Sequence, residues 1–312
     1  MKKILLLSAA TVMTAWLGTV VMTQAQTPPP AYPAKDDALA TSRGNAIIHP
    51  IGHAAVLITW NGKKILIDPA PNGGAGGGGR GGAAAGGGRG AAGAAGAPAA
   101  AAGGGRGAAA GGGGGRGGAA AAAPPPSPEA LAVFTSLGTP DLILITHAHG
   151  DHFNVPVLTA VAGPNTVLAV PQAVYDGLPE GLKAKATVMA NGDDSILAGV
   201  DVLAVPAYNT TPERQRNHPE GVGNGYVLSL GGKRVYLAGD TEETPELKKL
   251  TDIDVAFLPI NLPFTETPEA AAQWVRDFKP KIVYPYHYSN TDLTPFVQGV
   301  GTLSEVRLRK WY

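Results

Sequence analysis

Three histidines and an aspartate fall within six residues of this chain, His147-Ala148-His149-Gly150-Asp151-His152, directly after the apolar run Leu142-Ile143-Leu144-Ile145. Imidazole and carboxylate are ordinary ligands for a borderline divalent cation. A loop leaving a buried strand lets alternate side chains converge on one point. With only 7 histidines in the chain, clustering of this kind argues for metal binding over a solvated surface patch. Three further candidates lie downstream: His218, Asp240 in Ala238-Gly239-Asp240-Thr241, and His287 in Tyr284-Pro285-Tyr286-His287-Tyr288. Singly, Asp240 reads as a turn residue and His287 as a satisfied histidine among tyrosines. Together with the first cluster they supply enough ligands for two metal ions with open positions.

The elements that must position these residues can be read from periodicity. Residues 54–58 and 64–67 are strand-like, with Asn61-Gly62 between them as a hairpin signal. Ser127-Pro128 starts a helix that Gly138 would end, and residues 142–145 form a fully buried strand. Strands follow near 166–170 and 200–205. A hairpin of 226–230 and 234–238 turns on Gly231-Gly232, and further strands cover 253–258 and 281–284. The clearest helix runs from Thr267, its cap, to Phe278. Helices interspersed with several buried strands predict an α/β sandwich.

Two segments stand outside this pattern. Residues 1–25 open with Lys2 and Lys3, run apolar from Ile4 to Met22 and close on small residues before Gln26, which reads as a secretory signal. Export to a periplasm or the exterior is therefore expected, with membrane contact only in transit. Residues 72–126 are almost entirely Gly and Ala, with four arginines and no acidic, aromatic or β-branched residue. Such a segment buries too little apolar surface to offset its ordering entropy, so a disordered insertion is expected. Arg80, Arg89, Arg106 and Arg116 lack interleaved aromatics, so no nucleic-acid partner is expected. The remainder reads as a linker over 26–44 and one domain formed by 45–71 and 127–312. The chain has 24 basic and 24 acidic residues; two basic ones fall in the leader and four in the insertion, so the remainder is mildly acidic. With no cysteine, a disulfide framework is excluded. Nothing in the sequence sets an oligomeric state.

The pattern HxHxDH, standing here as His147, His149, Asp151 and His152, resembles that of the metallo-β-lactamase superfamily. The resemblance spans nearly the whole folded part. Gly52-His53, Ile67-Asp68-Pro69, the THAHGDH segment, Val205-Pro206-Ala207-Tyr208, AGDT at 238–241, Leu258-Pro259-Ile260 and His287 follow one another as in L-ascorbate-6-phosphate lactonase-like hydrolases. It implies a four-layer αβ/βα sandwich, the metallo-β-lactamase fold, with two divalent ions at one edge. Zinc is the usual metal, with manganese or iron as alternatives. One ion would take His147, His149 and a third histidine; the other would take Asp151, His152 and His287, with Asp240 bridging. Relatives carry the third histidine in a Pro-Ala-x-His context, whereas this chain reads Pro206-Ala207-Tyr208-Asn209. His218 is expected to fill the place from a longer loop, leaving Asn209 as a supporting or substrate contact; the alternative is a weakened metal position. The resemblance makes Asp68 a hydrogen-bonding support for the histidine loop. His53 is either a substrate or proton-transfer residue in the cleft or a packed core histidine. Arg214 is a candidate to hold an anionic substrate.

The expected chemistry is hydrolysis of a small ester, lactone or phosphodiester by metal-activated water, with Asp151 orienting the nucleophile and carrying its proton. The competing expectation is a periplasmic metal- or ligand-binding module on an inactive hydrolase fold, favoured by Asn209.

Overall fold

The computed structural model describes residues 32–71 and 125–312. The expected signal over 1–25 and nearly all of the expected insertion lie outside the described residues.

Strands β1 (Asp37–Thr41), β2 (Gly44–Gly52), β3 (Ala55–Trp60), β4 (Lys63–Ile67), β5 (Leu142–Leu144), β6 (Val167–Val170) and β7 (Ala186–Val188) form one sheet in sequential order. Strands β8 (Asp194–Leu197), β9 (Val200–Ala207), β10 (Gly223–Leu230), β11 (Lys233–Leu237), β12 (Val255–Pro259), β13 (Ile282–Tyr286) and β14 (Glu305–Val306) form a second, also sequential. Each sheet begins as an antiparallel meander of four strands and continues as parallel crossovers from β4 and from β11. The two halves thus repeat one plan. Helices α1 (Pro128–Thr135), α2 (Val155–Val161), α3 (Gln172–Gly177) and α4 (Glu180–Lys183) belong to the first half; α5 (Pro212–Gln215), α6 (Pro268–Phe278) and α7 (Thr294–Val300) belong to the second.

The period-2 alternation of the strands sorts their side chains between layers. Along β3, Val56 and Ile58 join the core shared with the second sheet, whereas Ala55 and Leu57 join a second cluster with Phe134 of α1 and Val157, Leu158 and Val161 of α2. In the second half, Trp274 and Phe278 of α6 set their rings 6.1 and 6.2 Å from that of Tyr236. Helix, sheet, sheet, helix is the expected four-layer sandwich. Turn chemistry is also as read: Asn61, Gly62, Gly231 and Gly232 all have positive φ at the two hairpin turns. Ser127 and Thr267 accept the capping hydrogen bonds of α1 and α6.

The expected linker over 26–44 is corrected by β1. Residues 37–41 pair with β2, and Asp37 receives a two-pronged ion pair from Arg309 at 2.6 and 2.7 Å plus the Tyr284 hydroxyl at 2.8 Å. This short strand has too little apolar alternation to announce itself. Its pairing depends on an arginine 272 residues away.

Candidate metal centre

Every candidate ligand leaves its sheet at the same edge. Parallel strands β4, β5, β11, β12 and β13 all end there, and Asp68, His147–His152, Asp240 and His287 follow four of those ends. The β2–β3 turn carrying His53 and the loop from β9 to β10 carrying His218 reach the same edge from antiparallel strands. His53, Asp68 and His287 have left-handed φ values of 52, 43 and 50°. Such twists are stored where surrounding contacts over-determine them, and they cluster at functional sites. Gly239, at φ +67°, lets the Asp240 turn pass close to the histidine loop; a Cβ there would stand 2.8 Å from Thr146 Cβ.

The structure gathers the sequence-predicted residues into three overlapping groups, each with ligand atoms within 4.8 Å of one another: His147, His149 and His218; His147, His152 and Asp240; and His53, Asp151, His152 and His287. Asp240 lies at the centre. Its Oδ2 is 3.3 Å from both His218 Nε2 and His287 Nε2, and its Oδ1 is 3.4 Å from His152 Nε2.

Buried Asp68 sets the ring tautomers. Its carboxylate accepts from the Thr146 amide, the Thr146 hydroxyl and His152 Nδ1, each at 2.8 Å. A carboxylate only accepts, so Nδ1 of His152 carries a proton, and the neutral ring that a metal ligand must be has its lone pair on Nε2. The Thr146 hydroxyl, having donated to Asp68, accepts from His147 Nδ1 at 3.0 Å, which frees His147 Nε2 in the same way. His218 Nδ1 lies 3.1 Å from the Phe264 carbonyl, an acceptor, so its Nε2 also carries a lone pair. Partners of this kind fix which nitrogen faces a metal.

On His152 and His218 a lone pair therefore faces the Asp240 carboxylate. His152 Nε2, His218 Nε2, His287 Nε2 and Asp240 Oδ1 are buried without a hydrogen-bond partner among the described residues. The acceptors of His152 and His218 meeting Asp240 at 3.3–3.4 Å are stable only around a cation, so the donor set fits divalent metal. Electrostatics agree. Although burial opposes its charging, the Asp240, Asp68 and Asp151 carboxylates raise His152 well above the usual imidazole range. Positive charge is thus favoured among these carboxylates, as a second proton on His152 or as a metal ion that takes its place. Burial and neighbouring imidazoles push His147 well below that range and His149 down to about 4. Asp151 and Asp240 are held well below the carboxylate range by the surrounding histidines, against the effect of burial.

Asn209 and Arg214 are not brought in as substrate contacts. Asn209 is fully buried, and its amide donates to the carbonyls of Phe264 at 2.7 Å and Arg214 at 3.0 Å. Its backbone N donates to the His218 carbonyl at 2.9 Å, closing the loop that delivers His218. Arg214, expected to hold an anion, is instead paired with buried Glu242 and with Thr211 Oγ1. Glu242 Oε2 also accepts from the Thr210 amide and hydroxyl and the Thr211 amide at 2.6–2.9 Å. These contacts use up Arg214's charge in bracing the loop.

His53 is buried beside Asp151, His152 and His287. Its Nε2 is 3.0 Å from Asp151 Oδ2, and burial with the nearby His287 pulls it down to about 4. Sequence reasoning missed Thr146, Glu242 and Tyr312. A threonine beside a histidine motif and a glutamate after a turn carry no distinguishing signal, and Tyr312 reaches His53 across 259 residues of chain.

A family model described as a beta-lactamase superfamily domain matches residues 48–287. A UPF0173 metal-dependent hydrolase of Pyrococcus abyssi is 32% identical over 194 residues, covering 59% of this chain and 84% of that protein. One from Thermococcus onnurineus is 34% identical, covering 54% and 79%. Among solved structures, a Parabacteroides distasonis protein assigned as a metal-dependent hydrolase is 31% identical with a TM-score of 0.66, covering 89% of this chain and 99% of that one. Igni18, a metallo hydrolase of Ignicoccus hospitalis, shares the fold at 20% identity and a TM-score of 0.56, over 85% and 95%.

Proposed function

Because the chain belongs to the β-lactamase superfamily, in which its relatives are metal-dependent hydrolases, we propose that it hydrolyses a small ester, lactone or phosphodiester at a two-metal site. The observation that carries this reading is the set of buried ligand atoms without hydrogen-bond partners that converge around Asp240. His147, His149 and His218 would hold one ion; Asp151, His152 and His287 would hold the other, with Asp240 between them. Bound zinc, or manganese or iron in its place, supplies a water acidic enough to attack near neutral pH and a Lewis acid for the substrate oxygen. The protein's own work is to keep the ligands ionised or neutral as required and to hold them in place. Asp68 and Thr146 do this for His147 and His152; Phe264, Asn209 and Glu242 do it for the His218 loop. Asp151 is partly exposed, where His147, His152, His218, Asp240 and His287 are buried, and its ionised carboxylate can orient water and take up its proton.

The motif order shared with L-ascorbate-6-phosphate lactonase-like hydrolases supports lactones as the first substrates to test. Reading the chain as an inactive binding module rested on Asn209 standing where a third histidine is expected; with His218 beside His147 and His149 that argument lapses. Export remains part of the proposal, supported by the apolar run Ile4 to Met22. The test is turnover of lactone, ester and phosphodiester panels by metal-free protein reconstituted with zinc, manganese or iron. Metal-dependent turnover that His218→Ala abolishes supports the reading; no metal-dependent turnover across the panels counts against it.

A further inference from the structure

Tyr312 places its hydroxyl 2.8 Å from His53 Nδ1, while the other nitrogen of the same ring meets Asp151 Oδ2 at 3.0 Å. The direction of both hydrogen bonds follows from chemistry. An ionised carboxylate only accepts, so His53 Nε2–H donates to Asp151. That leaves a lone pair on His53 Nδ1, which accepts the Tyr312 hydroxyl proton at 2.8 Å. The order is therefore Tyr312 O–H to His53, then His53 N–H to Asp151.

From this we infer that Tyr312 is a positioning residue: by locking the His53 tautomer it orients Asp151 for the metal position shared with His152 and His287. The inference rests on the two-metal reading above and adds a selective effect on one position. Without the hydroxyl, His53 is free to carry its proton on Nδ1, turning an Nε2 lone pair toward the Asp151 carboxylate. Asp151 would then lose a donor and face a repulsion. The same Oδ2 stands 3.6 Å from His287 Nε2, so a swing of the carboxylate disturbs this ligand group, whereas His147, His149 and His218 gather without His53.

The surroundings hold both partners for this task. The His53 amide donates to the Trp311 carbonyl at 2.8 Å, and the His53 carbonyl accepts from the His287 amide at 3.1 Å. The ring of Tyr312 packs edge-on to Tyr288 at 5.3 Å, and the Asp37–Arg309 pair fixes the chain three residues earlier. Tyr312→Phe therefore keeps the packing and removes the hydroxyl, with its contacts to His53 and Ser289.

The test measures cobalt(II) affinity of the full-length, metal-stripped chain by visible absorption and chelator competition. His218→Ala and Asp151→Ala serve as backgrounds that isolate the two positions. Tyr312→Phe is expected to weaken cobalt binding about 10-fold in the His218→Ala background. It should leave binding within twofold in the Asp151→Ala background and add nothing once His53→Ala is present. Unchanged affinity in the His218→Ala background overturns the inference. So does equal weakening in both backgrounds, or an additive effect on His53→Ala, since either marks a merely structural role. A parent chain that binds fewer than two cobalt ions overturns the two-metal reading itself, and is seen before any variant is made.

Discussion

Asp68→Asn tests the argument that a buried carboxylate dictates which histidine nitrogens face the metal. The substitution keeps the volume and leaves an oxygen for the Thr146 amide, but sets an NH2 where the Thr146 hydroxyl and His152 Nδ1–H both donate. Flipping the new amide would aim it at the Thr146 N–H, which cannot adapt. The hydroxyl can rotate and accept, but the imidazole can respond only by moving its proton to Nε2, the atom facing Asp240 at 3.4 Å. Metal binding must then reverse that choice. Removing a partner that orients a ligand costs 10–100-fold in metal affinity, about 1.4–2.7 kcal/mol. Losing charge-assisted hydrogen bonds costs the metal-free fold about 1.5–3 kcal/mol. Zinc affinity by competition with a chromophoric chelator, together with 15N shifts of the His152 ring, reads both consequences. Parent-like affinity with the proton still on Nδ1 would refute the reasoning.

Burial raises Glu266 to about 7 despite the hydrogen bond it accepts from the Glu243 amide. Its folded-state value lies above the unfolded one, so the stability it contributes is complete below about pH 4.5 and is lost as pH rises through 7. Glu266→Gln should match the parent at pH 4 and exceed it by up to about 3 kcal/mol at pH 8 in urea melts; a constant difference across that range would contradict this. Arg309→Ala leaves Asp37 buried with only Tyr284 close and Arg307 at 3.8 Å, so unfolding free energy should fall by about 3 kcal/mol, measured by denaturant titration. The Asp37 carboxyl is held below its ordinary value by Arg309 and Tyr284, against burial. The parent's advantage should therefore fade as pH drops below about 4, through the folded-state value.

The metal ligands were legible because their chemistry is local. Six residues after one buried strand name most of one constellation, and Asp240 and His287 stand out at the ends of apolar runs. The hairpin turns and the Pro-started helices α1 and α6 were legible for a similar reason, since turn and cap residues act within four positions. What escaped depends on distant pairing. β1 is a strand because of β2 and Arg309, and β7 and β14 are too short to show a period. Arg214 looks like an anion clamp until Glu242 is placed beside it, and Asn209 looks like a defective ligand until the closed loop shows it holding His218 in place. A resemblance can name ligands, but only geometry assigns the residues that orient them.

The ligand set around Asp240 is tested most directly by metal stoichiometry from elemental analysis, for the parent and for His218→Ala, each purified without chelator. Two equivalents in the parent and one in the variant are expected. Fewer than two in the parent after zinc or manganese is supplied, or two retained by His218→Ala, would contradict it.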